Sequence, residues 1–108
     1  MMKLIIAIVS NEDCSLLMKA LVNHKYFVTK LSSSGGFLKK GNATLMIGAK
    51  PEDIDDIIKI ISDYSKTRKE MVPASIISEF GTMPSIPFEV TVGGATLFIV
   101  DVELFIKL

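Results

Sequence analysis

The chain opens on an uninterrupted apolar run, Leu4-Ile5-Ile6-Ala7-Ile8-Val9, that passes straight into Ser10-Asn11-Glu12-Asp13. A continuous β-rich run of this kind predicts a strand from Lys3 to Val9 covered on both faces. The four polar residues then supply N-cap candidates and acids suited to the first turn of a helix. Leu16, Leu17, Ala20 and Leu21 recur at helical spacing and carry that helix to about His24. A buried strand feeding a helix therefore starts the fold.

The rest of the chain repeats the alternation. Phe27 to Leu31 reads as a second strand, followed by a loop at Ser32-Ser33-Ser34-Gly35-Gly36. Beyond Lys39-Lys40-Gly41, a third strand runs from about Asn42 to Ala49. Pro51-Glu52-Asp53 opens a second helix whose stripe is Ile54, Ile57, Ile58 and Ile61, ending near Ser65. Residues 66 to 87 mix charges with three prolines and Gly81, which predicts a short strand near Glu70 to Val72 and then an irregular loop. Phe88 to Val92 and Ala95 to Val102 flank Gly93-Gly94, a hairpin signal. The order β-α-β-β-α-β with an added C-terminal β-hairpin predicts an α+β, ferredoxin-like fold. That fold hosts many functions and establishes none.

Composition narrows the class. At 108 residues, nearly half of them apolar, the chain is long enough for one core, so residues 1–108 are expected to form a single domain. Basic and acidic residues balance at twelve each, which argues against a field able to hold a nucleic acid polymer. Six methionines and abundant Ile, Leu and Val predict apolar surface beyond one small core, and so oligomerisation. The lone cysteine, Cys14, allows no internal disulfide and fits a reducing compartment. The opening run is too short for a membrane span and lacks a signal-peptide cleavage site, so a cytoplasmic location without a membrane span is expected.

Few residues suit catalysis or metal binding. Cys14 and His24 stand roughly 15 Å apart along one helix, too far to share a metal or to work as a nucleophile and base. The acids at 52 to 56 are explained by a helix start. No Walker pattern is present, and Lys39 and Lys40 read as a solvated loop tip as readily as a phosphate contact. No enzyme, catalytic residue, cofactor or metal site is predicted. Two other segments remain open. Thr29 and the Ser/Gly loop have the composition of an anion-binding nest, with Phe37 and Leu38 as apolar contacts for a flat base, or of an ordinary turn. Asn42 suits the edge of an adenine, or simply ends a Gly-Asn turn.

Taken together, Ile5-Ile6-Ala7-Ile8-Val9, Thr29-Lys30-Leu31, Ser34-Gly35-Gly36-Phe37-Leu38, Lys40-Gly41-Asn42 and Gly93-Gly94-Ala95-Thr96 resemble the cyclic-di-AMP receptors of the PII-like family in order and spacing. The likeness spans essentially the whole chain. It implies a homotrimer of ferredoxin-like subunits with one cyclic di-AMP in each cleft between neighbours. By matching position it implies Thr29, Gly36, Phe37, Leu38, Asn42 and Gly48 as ligand-binding residues. Thr29 and the loop would hold phosphate, Phe37 and Leu38 would pack adenine, Asn42 would read the base, and Gly48 would permit close approach. Gly93, Gly94 and Thr96 would shape the hairpin, with ligand contact possible.

Two positions depart from the family pattern. Where relatives can carry an arginine this chain has Phe27, and where they can carry an amide near the C-terminus it has Lys107. A lost charged donor to phosphate is worth about 1.5–3 kcal/mol, a tenfold or greater loss of affinity that Lys107 would partly offset. The glycine-rich stretch Ser32 to Gly41 and the long irregular one from about Ser65 to Pro87 predict loops that ligand orders, exposing or hiding a surface for an unidentified protein partner. The rival readings are a metal-binding trimer like the divalent-cation-tolerance proteins, an acylphosphatase-like enzyme, and a trimer that has lost nucleotide binding. The first lacks ligands and the second lacks an arginine in the Ser/Gly loop, since the single arginine is Arg68.

Overall fold

The computed structural model describes residues 1–31, 41–72 and 88–108. The described elements are β1 (Met2–Ser10), α1 (Asn11–Asn23), β2 (Phe27–Leu31), β3 (Asn42–Ala49), α2 (Ile54–Ser65), β4 (Arg68–Val72), β5 (Phe88–Val92) and β6 (Ala95–Val102). A 3-10 turn at Pro51–Asp53 leads into α2. Strands β2, β3, β1 and β6 form one sheet in that order, and every neighbouring pair is antiparallel. With the two helices this is the expected ferredoxin-like, PII-like arrangement. No described helix is long and apolar enough to cross a membrane.

Local chemistry sets the helix ends. The Ser10 hydroxyl caps α1 by accepting from the Glu12 N–H at 3.3 Å. At the other end the Tyr26 N–H donates to Leu21 (3.0 Å) and the Lys25 N–H to Val22 (2.9 Å), while Lys25 takes a positive φ of 71°. These bonds occupy carbonyls that the last turn leaves unpaired and steer the chain into β2. α1 buries Cys14, Leu17, Ala20 and Leu21, and α2 buries Ile57, Ile60 and Ile61. Leu16, expected on the apolar stripe of α1, is 61% exposed. It lies on the solvent side because the buried arc runs through residues 13, 14, 17, 20 and 21.

Both helices pack on the same face of the sheet. That face presents Ile5, Ala7 and Val9 from β1 and Ala43, Leu45, Ile47 and Ala49 from β3, all buried. Register places Leu4, Ile6 and Ile8 on the opposite face with Met46, Phe98, Val100 and Phe27. The expectation that β1 is covered on both faces is therefore corrected for the single chain. Leu4, Ile6 and Ile8 are only half-buried, because neither helix reaches that side.

The Gly93-Gly94 hairpin is corrected as well. β5 pairs with β4, from Arg68↔Val92 to Val72↔Phe88, whereas β6 pairs with β1, from Val9↔Ala95 to Met2↔Val102. The added two-stranded element is thus the β4–β5 ribbon, and the glycine pair is the corner between ribbon and main sheet. Both glycines do take positive φ, 81° and 91°, so the local conformation was legible and the strand partner was not. β4 begins at Arg68, two residues before the strand expected at Glu70. The remainder of that irregular loop, 73–87, and the Ser/Gly loop, 32–40, lie outside the described residues.

The entry to β2 is tied to α2 by a bond that the sequence did not suggest. The Tyr26 hydroxyl donates to Asp56 Oδ2 at 2.6 Å, and this bond, helped by partial desolvation and the nearby acids, pushes the phenol up to about 12. A group held protonated in the folded state stabilises below its ordinary pKa near 10, and that contribution is lost as pH rises through the folded value. The wild-type chain should therefore lose stability between about pH 10 and pH 12 that Tyr26→Phe does not lose. Denaturation midpoints across that range check this, and parallel profiles for the two proteins would contradict it.

Candidate functional site

The open face of the sheet carries every described residue expected in the site. Asn42 is the first residue of β3, paired with Ser10 at the end of β1. Gly41 precedes it with a φ of 96°, and the Gly41 carbonyl accepts the Asn11 N–H at 2.8 Å. The start of β3 is thereby fastened to the first turn of α1. Across β1, Ala95 and Thr96 pair with Val9 and Ile8. The result is a cleft of about 320 Å³ lined by Ile8, Val9, Asn42, Thr67, Gly93, Gly94, Ala95 and Thr96. Asn42 and the distant Gly93-Gly94-Ala95-Thr96 stretch thus meet in one place, two strands or ~10 Å apart across the sheet.

The other described candidates lie elsewhere on that face. Thr29 is exposed and pairs with Met46, and Gly48 is exposed and pairs with both Phe27 and Leu4. Six residues of β3 separate Asn42 from Gly48, a span of ~20 Å at ordinary strand rise. Phe27, 84% exposed, stands beside Gly48, at the same end of the sheet as the Met2↔Val102 pair from which the C-terminal segment continues. Lys107 is exposed in that segment. The Phe27 departure from the family pattern is therefore at the end far from Asn42. Gly36, Phe37 and Leu38 lie outside the described residues.

The glycines divide in an informative way. A Cβ on Gly93 would fall 2.6 Å from Arg68 Nη1 and 2.7 Å from the Lys66 carbonyl oxygen, and one on Gly94 would fall 3.0 Å from Thr67 Oγ1. The Gly94 N–H also donates to the Ser65 carbonyl. These two positions need glycine for the chain's own packing. Gly48 differs: its φ is ordinary for a strand, and the nearest described atom to an added Cβ is Met2 Sδ at 3.9 Å. Among the described residues nothing asks for a bare backbone there.

An ion pair that the sequence reading missed borders the cleft. The Arg68 guanidinium donates through Nη2 to Asp13 Oδ1 (2.7 Å) and through Nη1 to Asp13 Oδ2 (3.3 Å). Asp13 is 5% exposed, and its bonds hold the Arg68 pKa above the usual guanidinium value. Its position in the first helical turn had been explained by the dipole alone. The signal that pointed further was the single arginine of the chain. Cys14 is buried in the core and His24 caps the far end of α1.

The sequence profile of the cyclic-di-AMP receptor family matches residues 2–108. Among solved structures, the crystal structure of a functionally unknown protein from Pediococcus pentosaceus ATCC 25745 is similar with a TM-score of 0.80. The two are 36% identical, and the match covers 99% of this chain and 97% of that one.

The two kinds of glycine predict opposite behaviour. Gly93→Ala should lower unfolding stability by about 2 kcal/mol or more, from strain at positive φ and the clash with the Lys66 carbonyl oxygen. Gly48→Val should keep the secondary structure, since a β-branched residue suits a strand. Circular dichroism with denaturant titration of both variants is the check. An unfolded Gly48→Val, or a Gly93→Ala as stable as wild type, would contradict the assignment.

Proposed function

The chain belongs to the cyclic-di-AMP receptor family, and from that premise we propose that it is a cytosolic signalling protein binding cyclic di-AMP between the subunits of a homotrimer. Its part is recognition rather than catalysis, in keeping with a receptor family. The observation that carries the reading is the open sheet face with its two separated sets of candidates. One end offers Asn42 with the Gly93–Thr96 wall, and the other offers Gly48, ~20 Å away along β3, with Thr29 two residue steps nearer, opposite Met46. A compact dinucleotide cannot touch both ends of one chain. Two copies meeting through their open faces bring the Asn42 end of one toward the Thr29–Gly48 end of the next.

Each residue then has a role its chemistry fits. Asn42 presents a donor and an acceptor to an adenine edge, the match that makes asparagine an adenine reader elsewhere. Thr29 offers a hydroxyl to phosphate, and Gly48 leaves room for close approach to bare backbone. Gly36, Phe37 and Leu38, which precede Asn42 in the sequence, complete the proposed set. The same association covers what remains exposed of Phe98, Val100 and Ile6; full burial of a side chain of this size contributes about 1.5–3 kcal/mol, and these, already about half-buried, contribute about half of that or less. Ligand that favours one arrangement of the segments around the cleft shifts their population and alters the surface offered to a protein partner.

A second reading has one observation in its favour. Phe27, exposed and uncharged, stands beside Gly48 where relatives can place an arginine, so the trimer would persist with weak or no affinity for the dinucleotide.

Isothermal titration with cyclic di-AMP, with cyclic di-GMP and ATP as controls, separates the two. The proposal expects saturation near one ligand per subunit and at least a tenfold loss of affinity in Asn42→Ala. Absence of heat at high micromolar protein would favour the second reading. A monomeric mass by light scattering would count against both.

A further inference from the structure

We propose that Asp13 and Arg68 form a positioning pair that holds the Gly93–Thr96 wall at a fixed distance from Asn42 and so sets the affinity of the cleft. The inference rests on the ligand reading above and extends it to residues that touch no ligand. Its basis is that two contacts converge on the first turn of α1 and a third carries one of them to the wall.

The first contact fastens the Asn42 side. The Asn11 N–H donates to the Gly41 carbonyl at 2.8 Å, so the residue before Asn42 is bound to the helix start. The second fastens the opposite side. Asp13, two residues further along the same turn, receives both arms of the Arg68 guanidinium at 2.7 and 3.3 Å. The third carries that hold to the wall. Arg68 Nη1 lies so close to Gly93 that a Cβ there would approach it to 2.6 Å, and the same nitrogen donates to the Lys66 carbonyl at 3.3 Å. Arg68 Nε also donates to Glu70 at 3.3 Å, which fixes the plane of the fork. The guanidinium is thus a rigid bracket between α1 and the corner where the β4–β5 ribbon joins the main sheet. Thr67, next to it, lines the cleft itself.

Geometry, not charge alone, does the positioning. A planar bidentate fork defines orientation, whereas a lysine ammonium is a point charge on a flexible stem. Arg68→Lys therefore keeps the charge opposite Asp13 and removes the bracket. Loss of affinity without loss of fold is the expected phenotype, because groups displaced from a site by small distances weaken it strongly.

The test uses the full-length chain as wild type, Arg68→Lys, and the double variant Asp13→Leu/Arg68→Met. The double variant removes both charges together, so no buried carboxylate is left unpaired and folding is preserved. Amide hydrogen exchange without ligand is measured first, and titration with cyclic di-AMP second. Both variants should show at least tenfold faster exchange at Gly94, Ala95 and Thr96, with the amides of β1 and β3 unchanged. Both should bind cyclic di-AMP about tenfold more weakly than wild type. Unchanged exchange at Gly94 to Thr96 would overturn the proposal. Faster exchange with wild-type affinity would overturn it too, leaving an ion pair of structural value only. If the wild-type chain binds no cyclic di-AMP, the ligand reading fails by that result alone, and exchange still decides whether the pair holds the wall.

Discussion

Both helices of this chain lie on one face of a four-stranded sheet, and the face they leave open governs the rest of the structure. A sheet buried on one side normally alternates apolar and polar residues. Here β1 is apolar at every position from Leu4 to Val9, although only Ile5, Ala7 and Val9 are covered. Phe98 remains 53% exposed on β6, and Phe27 is more exposed still. A contiguous apolar surface of this kind marks an interaction face. In the proposed trimer that face meets its counterpart, and the ligand sits where two such faces join.

The element order was legible because each signal was local. Caps, helical spacing and the Pro51 start all act within a few residues, and each strand and helix lies close to where those signals put it. What failed was non-local. Continuous hydrophobicity in β1 announced burial on two faces without saying that the two helices cover only one of them. Gly93-Gly94 announced positive φ correctly, yet β5 pairs with β4 because that choice depends on Arg68 and the end of α2 rather than on the turn.

The site was legible in part for the same reason. Motif likeness singled out Asn42 and the Gly-Gly-Ala-Thr stretch as candidates, and the register brings them to one cleft. Motif likeness could not show that Asn42 and Gly48 occupy opposite ends of a single strand, because separation in space follows from strand rise and pairing. The Asp13–Arg68 contact bridges 55 residues, so the acid looked complete as a dipole partner for its own helix. Gly48 became interpretable only once the space around it was known: none of the described residues crowds it, which fits the close approach proposed for a ligand there.

The central claim is that each ligand cleft takes Asn42 from one copy and Gly48 from another. Subunit mixing tests it directly, with Asn42→Ala and Gly48→Val each purified alone, then denatured together and refolded in equal amounts. Each variant alone should fail to bind cyclic di-AMP. In the mixture, half of the Asn42 ends and half of the Gly48 ends are intact, so about one quarter of the clefts should regain binding if they combine at random. No recovery in a mixture shown to contain both chains in one assembly would contradict the account and place both residues in a site within one subunit, or outside the site altogether.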